Sequence, residues 1–158
     1  MINFGAVDEH IFVGNAPYSD VDIARLHQLK VTAVLSLQSD TDLRNHEVDI
    51  DQLQQSYSGH DIVFQRFPII DFDEQDLGDK LAQPVLALQR LLAVGHRVYV
   101  HCNAGICRAP ATVLGYLCHN QGFDIESGLA HIRAVRPQAN PYLRAVEKAL
   151  QTLRNEPV

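Results

Sequence analysis

Short apolar segments rich in β-branched residues alternate along the chain with longer segments in which apolar residues recur every three or four positions. The short segments predict buried strands, and the longer ones predict amphipathic helices. Such alternation is typical of an α/β domain with a central, mostly parallel sheet flanked by helices. The predicted strands lie at residues 11–13, 31–37, within 62–70, and at 97–101.

Capping residues and apolar periodicity predict where the helices lie. We expect a helix after the cap at Ser19, a polar helix over 42–57, and a helix around 81–92 with Pro84 in its first turn. Another should follow Arg108. The last two carry apolar faces over 125–135 and 143–153, and Asn140 and Pro141 should begin the final one.

Composition fits one soluble globular domain spanning 1–158, since 46% of the 158 residues are hydrophobic and 20% are charged. The formal net charge of −6 argues against general binding to nucleic acid or to anionic membranes. The sequence has no apolar run that could span a bilayer, and its first residues do not resemble a signal peptide. We therefore expect a cytoplasmic protein.

The chain has three cysteines, which is an odd and small number for a disulfide framework and suits a reducing compartment. Cys102 and Cys107 are spaced more widely than paired zinc ligands, and no second pair exists. We expect neither a metal nor a cofactor. Cys118 lies among apolar residues and is predicted to be part of the core.

The segment from Cys102 to Arg108 carries the strongest chemical signal. A cysteine leaves a predicted strand, five residues that include Gly105 turn, and an arginine opens a helix. Such a loop can point its backbone N–H groups inward as an anion nest, and the helix N-terminus adds partial positive charge. Both features favour the thiolate form of Cys102, and the planar fork of Arg108 matches two phosphate oxygens. The alternative is a small buried cysteine at a strand end.

This loop, with His101 before Cys102, resembles the signature of the protein tyrosine phosphatase superfamily, in its dual-specificity branch. The resemblance implies a phosphatase without metal that works in two steps: phosphoryl transfer to Cys102, then hydrolysis to inorganic phosphate. It also implies that Arg108 holds the phosphate and that Asp71 is the general acid. The residues expected to contact the substrate are Asn103, Ala104, Gly105, Ile106, Cys107 and Phe72.

Three segments, 35–42, 71–73 and 102–110, are most similar to plant glucan phosphatases. The substrate therefore stays open between phosphorylated protein, which is our main expectation, and phosphoglucan. A third alternative is a pseudophosphatase that binds phosphate without turnover. The presence of Cys102, Arg108 and Asp71 argues against it.

The acidic loop after the third predicted strand offers two candidates for the general acid. Asp71 matches the family motif, Asp73 is its rival, and Asp76 is expected to cap the next helix. Phe72 could stack on a sugar or on a phosphotyrosine ring, or it could pack as part of a lid.

Two positions in the signature loop differ from its usual form. Ala109 stands where relatives carry a hydroxyl that helps cysteine depart, which predicts slow hydrolysis of the intermediate. Cys107 resembles the second loop cysteine of low-molecular-weight tyrosine phosphatases, which implies that it could trap an oxidised Cys102 as a disulfide. Alternatively, Cys107 only fills space. His101 is expected to orient the loop through hydrogen bonds, or to be a packed structural histidine.

Overall fold

Five strands build the central sheet in the computed structural model, which describes residues 1–155. They are β1 (Phe4–Ala6), β2 (Ile11–Gly14), β3 (Ala33–Ser36), β4 (Val63–Arg66) and β5 (Val98–His101). The described helices are α1 (Asp20–Gln28), α2 (Asp40–Asn45), α3 (Ile50–Gly59), α4 (Glu74–Lys80), α5 (Ala82–Ala93), α6 (Arg108–Gln121), α7 (Ile125–Arg133) and α8 (Leu143–Asn155). Across residues 1–155, no helix has the length and apolarity needed to cross a membrane.

The strand order is β1-β2-β5-β3-β4, and β5 lies at the centre. Strands β2, β5, β3 and β4 pair in parallel, whereas β1 pairs with β2 in the antiparallel direction. His101 pairs with Gly14 on one side and with Ser36 on the other, so three strands end at one level. The predicted mostly parallel α/β sheet is confirmed, and Cys102 leaves it at the carboxyl edge, where ligands of such folds bind.

Alternating side chains of β5 bury two separate cores, one on each face of the sheet. Val98 and Val100 belong to the core formed with α5, α6 and α8, while Tyr99 belongs to the core formed with α1 and α3. Each fully buried aliphatic side chain stabilises the fold by about 1.5–3 kcal/mol relative to its exposed state. Cores on both faces hold β5 rigidly, and the loop that follows it therefore starts from a fixed point.

The prediction of one helix over 42–57 is wrong, because the segment forms α2 and α3 with a break between them. Glu47 has φ of +54°, which ends α2, and the side chain of Asp49 caps α3. The helix predicted around 81–92 is confirmed as α5, with Pro84 in its first turn. Strand β1 was not predicted, since three residues are too few for a periodic signal. Helix α8 begins at Leu143, later than Asn140 and Pro141.

Candidate active site

The loop from Cys102 to Arg108 connects the end of β5 to the start of α6. Cys102 is 3% exposed. Gly105 has φ of +71°, and a Cβ at this position would collide with the backbone of Gly14 on the neighbouring strand. The curvature therefore requires glycine here, both for its backbone angle and for the close approach of β2.

Buried Arg136 fixes the outer side of this loop. Its Nε donates to the carbonyl oxygen of Gly105 at 2.7 Å, and its Nη2 donates to that of Ala104 at 2.8 Å. Nη2 also donates to Oδ1 of Asn3 on the N-terminal strand segment at 3.0 Å. This role of Arg136 was not predicted from the sequence.

Backbone donors from outside the loop bind two further carbonyl groups. The amide of Ala16 donates to the carbonyl of Asn103 at 2.9 Å, and the amide of Asn140 donates to that of Ile106 at 2.7 Å. Four successive carbonyls of the loop therefore point outward to partners. This arrangement leaves the inner side to N–H groups, as an anion nest requires.

The guanidinium of Arg108, which is 2% exposed, has one anchored nitrogen. Nη1 donates to Asp42 Oδ2 at 2.6 Å, to the carbonyl of Ile69 at 2.7 Å and to that of Leu37 at 3.3 Å. Within the part of the chain that the structure describes, Nε and Nη2 donate to no hydrogen-bond acceptor. These two N–H groups form one planar edge, which can bind two oxygens of a phosphate.

Asp42 was not predicted from the sequence as a site residue. It lies in α2, the helix that follows β3, and its carboxylate holds Arg108 in place. It is buried in the capping box of α2, where it exchanges hydrogen bonds with Ser39. Burial would raise the pKa of Asp42, but hydrogen bonds from Arg108, Ser39 and Asn103 outweigh burial and leave the pKa below its usual value. Asp42 is therefore charged at neutral pH. Its position just beyond a buried strand was the one available signal.

The structure brings Asp71 to Arg108 and keeps Asp73 away from it. Asp71 Oδ2 lies 3.2 Å from Arg108 Nη2. Asp73 caps α4 by accepting from the amide of Asp76 at 2.9 Å. The prediction that Asp76 caps this helix is wrong: Asp76 accepts from the amide of Ile70 at 2.8 Å and so braces the loop from inside the first turn.

Phe72, next to Asp71, is 87% exposed and has φ of +60°. The ring therefore makes little contact with the protein in this structure. A left-handed backbone is unusual for a non-glycine residue, and the amide of Phe72 donates to Asp71 Oδ1 at 3.1 Å. The strained backbone thus presents an aromatic ring to solvent beside the candidate acid.

His101 supports the loop through a hydrogen bond to its first residue. Its Nδ1 donates to the carbonyl oxygen of Cys102 at 2.9 Å. Burial lowers the pKa of His101 to about 4, so the ring is neutral at neutral pH and acts by hydrogen bonding.

The thiol of Cys107 is half-buried and accepts a hydrogen bond from the backbone amide of Tyr142. Burial raises its pKa above the usual value. Cys118 on α6 is only partly buried and packs against the core. All three cysteines are free thiols.

We predict reversible oxidation at this loop. Peroxide should oxidise the Cys102 thiolate to a sulfenic acid, and the Cys107 thiol should then displace water to form a Cys102–Cys107 disulfide. A disulfide needs Cα atoms within ~7 Å and the two sulfurs in bonding contact, so Cys107 Sγ must turn to Cys102 and give up its hydrogen bond from the Tyr142 amide. After brief oxidation and addition of a thiol reductant, wild type should regain most of its activity, and Cys107→Ser should regain little.

Mass spectrometry of the oxidised protein should find the Cys102–Cys107 link. Cys118→Ser is the matched control and should recover as wild type does. Equal recovery of wild type and Cys107→Ser, without a link, would leave Cys107 as a packing residue.

Comparison with known proteins places these features in context. The family model described as "Dual specificity phosphatase, catalytic domain" matches residues 11–152. The chain is 32% identical over 116 residues to the chloroplastic phosphoglucan phosphatase LSF1 of Arabidopsis thaliana, covering 73% of this chain and 20% of that protein. It is 30% identical over 164 aligned positions to the amyloplastic phosphoglucan phosphatase DSP4 of Castanea sativa, covering 96% of this chain and 44% of that protein.

The fold is similar to that of PTPMT1, with a TM-score of 0.77 at 19% identity and coverage of 96% of this chain and 94% of that chain. The chain thus spans less than half the length of both curated relatives, but nearly all of this solved structure. The matched range includes the loop, Asp42, Asp71 and Arg136.

Proposed function

The chain belongs to the dual-specificity phosphatase family, and from this membership we propose that it hydrolyses phosphate monoesters through a phosphocysteine intermediate. One observation carries the proposal: buried Arg108 has one nitrogen anchored by three acceptors and a second edge, Nε and Nη2, that makes no hydrogen bond within residues 1–155, although Asp71 Oδ2 lies 3.2 Å from Nη2. A cation fixed in this way, in the loop that begins with Cys102, suits a bound phosphate.

Each step of the proposed reaction uses groups of this loop together with Asp71. The Cys102 thiolate attacks phosphorus and forms an S–P bond while the ester P–O bond breaks, and Asp71 gives its proton to the leaving oxygen. A water molecule then attacks phosphorus, Asp71 accepts its proton, and the S–P bond breaks to release inorganic phosphate and the thiolate. The Arg108 edge and the loop N–H groups stabilise the phosphoryl oxygens in both steps.

We propose phosphorylated proteins, carrying phosphotyrosine or phosphoserine and phosphothreonine, as the main substrate class. Phosphoglucan is the second candidate, and two observations favour it: relatives named phosphoglucan phosphatases, and the exposed Phe72 ring beside Asp71, which could stack on a sugar. We further propose that residues 1–158 act as one catalytic domain. We also propose a cytoplasmic location, because free thiols are typical of proteins in a reducing compartment.

Two assays test these proposals in order. Hydrolysis of a generic aryl phosphate separates a phosphatase from a pseudophosphatase, since only the former releases phosphate. A panel of phosphopeptides and phosphorylated amylopectin, compared by kcat/KM, then separates the substrate classes. If Phe72→Ala loses activity on amylopectin and keeps it on the aryl phosphate, phosphoglucan is favoured over phosphoprotein as the substrate class.

The proposed acid predicts a dependence on the leaving group. Asp71→Asn should slow esters with poor leaving groups by about 10²-fold or more, and esters with good leaving groups far less, because only the former need a proton. The basic limb of the kcat/KM pH profile should also disappear, since a general acid loses activity as rising pH removes its proton. Asp73→Asn is the matched control. The assignment is wrong if Asp73→Asn gives this signature and Asp71→Asn does not.

A further inference from the structure

The side-chain amide of Asn103 lies between the two carboxylates that flank Arg108. Its Nδ2 donates to Asp42 Oδ1 at 2.8 Å and to Asp71 Oδ2 at 3.4 Å. An amide nitrogen carries two hydrogens, so one can point to each carboxylate. Asn103 therefore links the buried residue that anchors Arg108 to the candidate acid.

A second amide fixes which end of Asn103 faces the carboxylates. Gln38 Nε2 donates to Asn103 Oδ1 at 2.9 Å and to the hydroxyl of Tyr18 at 3.3 Å. Because Oδ1 is occupied by a donor, Nδ2 must face Asp42 and Asp71. The backbone carbonyl of Gln38 is in turn bound by Arg66 Nη1 at 3.0 Å, and Arg66 pairs with Asp40.

The arrangement of charge explains why a donor is useful here. Asp42 contacts Nη1 of Arg108 and Asp71 contacts Nη2, so one guanidinium serves two carboxyl groups. When substrate phosphate binds the Nη2 edge, Asp71 must give up that contact. In the part of the chain the structure describes, Asn103 Nδ2 and the amide of Phe72 are the remaining donors within hydrogen-bond reach of Asp71.

We propose that Asn103, held in orientation by Gln38, is a positioning residue that keeps the Asp71 carboxyl over the phosphate site. This inference rests on the proposed phosphatase function and adds a residue to it. Asn103 acts on the reaction through Asp71, so its loss should mainly affect proton transfer to the leaving group. Asp42 also loses one hydrogen bond, but Arg108 and Ser39 still hold it. Damage to the loop itself would instead slow all substrates alike.

The test compares aryl phosphates of graded leaving-group ability in wild type and variants. Asn103→Ala should lower kcat/KM for the poorest leaving group by about tenfold more than for the best one, since the acid is present but badly placed. Asn103→Asp places a third carboxylate beside Asp71. It should move the basic limb of the pH profile to higher pH, because negative charge disfavours further ionisation.

Gln38→Glu tests the orientation without changing the signature loop. The substituted side chain ends in a carboxylate that offers only acceptors, so Asn103 should turn its Nδ2 toward this new carboxylate and away from Asp71. The same leaving-group dependence is expected, and Gln38→Ala should show it more weakly. Binding of tungstate by every variant checks that the loop is folded.

The possible results separate this inference from the proposed function. Equal loss on all leaving groups in both Asn103→Ala and Gln38→Glu, with tungstate still bound, would overturn the positioning role. So would a normal leaving-group dependence in both variants while Asp71→Asn shows its own signature. An inactive wild type that binds tungstate would instead refute the phosphatase proposal.

Discussion

Replacing Cys102 with serine should abolish turnover and leave the binding of phosphate analogues intact. A serine hydroxyl is protonated at neutral pH, and the loop offers it no base, so neither attack nor departure from phosphorus proceeds. Loss of a catalytic nucleophile is expected to lower kcat by more than about 10⁴-fold. The fixed carbonyls and the Arg108 edge are unchanged in this variant. Tungstate or vanadate should therefore bind with near wild-type affinity.

Cys118→Ser is the matched control, because Cys118 is also a free thiol, lies farther along α6 and takes no part in the loop. Its kcat should equal that of wild type. Full activity in Cys102→Ser would contradict the mechanism. Loss of activity together with loss of analogue binding would show that the serine had disturbed the loop, and Cys102→Ala would then be the variant to compare.

Replacing Arg108 with lysine should remove most activity although the charge is kept. The guanidinium donates through Nη1 to Asp42, Leu37 and Ile69 and still presents its Nε and Nη2 edge to the loop. A lysine ammonium is a single point charge, so it cannot bind the anchoring acceptors and also bind two phosphate oxygens. We expect kcat/KM to fall by about 10²–10³-fold, as when one preorganised donor to a developing oxyanion is removed.

Thermal unfolding should separate the anchoring role of Arg108 from its role toward phosphate. Arg108→Ala leaves Asp42 buried without its partner and should destabilise the fold by about 3–5 kcal/mol, whereas Arg108→Lys keeps a positive charge near Asp42 and should cost less. Arg90→Lys, on the exposed side of α5, is the matched control and should change neither activity nor stability. Retention of at least half the wild-type kcat/KM by Arg108→Lys would contradict the bidentate role.

The sequence predicted the parts of the site that are local in the chain. Strand, cysteine, turn with Gly105, arginine and helix are consecutive, and each step follows from backbone preferences or helix charge. The mostly parallel sheet was also predictable from alternating periodicities. Asp71 could be proposed because the acidic loop after a predicted strand matches the family motif for the general acid.

The supporting residues could not be predicted because their partners are distant in the chain. Asp42 meets Arg108 across 66 positions, and Arg136 meets Gly105 across 31. Neither contact could be predicted, since a buried charged residue looks like an exposed one in sequence. The break between α2 and α3 was missed for a similar reason. The break depends on Glu47, whose backbone is left-handed. Glycine, asparagine and aspartate usually adopt this conformation, and glutamate does not.

Ala109 sets the expected kinetics of the second step. It is fully buried at the start of α6 and offers no hydroxyl to the departing thiolate. Rapid mixing should therefore show a burst of leaving group followed by slower turnover. Ala109→Ser should raise the steady rate, and an absent burst together with no gain would mean that the first step limits.

A phosphoryl group captured on Cys102 would demonstrate the phosphocysteine intermediate. Wild type should be mixed with an aryl phosphate, quenched in acid during steady turnover, digested and examined by mass spectrometry. The proposed mechanism predicts one phosphoryl group on the peptide that contains Cys102, accumulating in the burst and present at a lower level in Ala109→Ser. Continued turnover with no phosphoryl group on Cys102, or with the group on another residue, would contradict it.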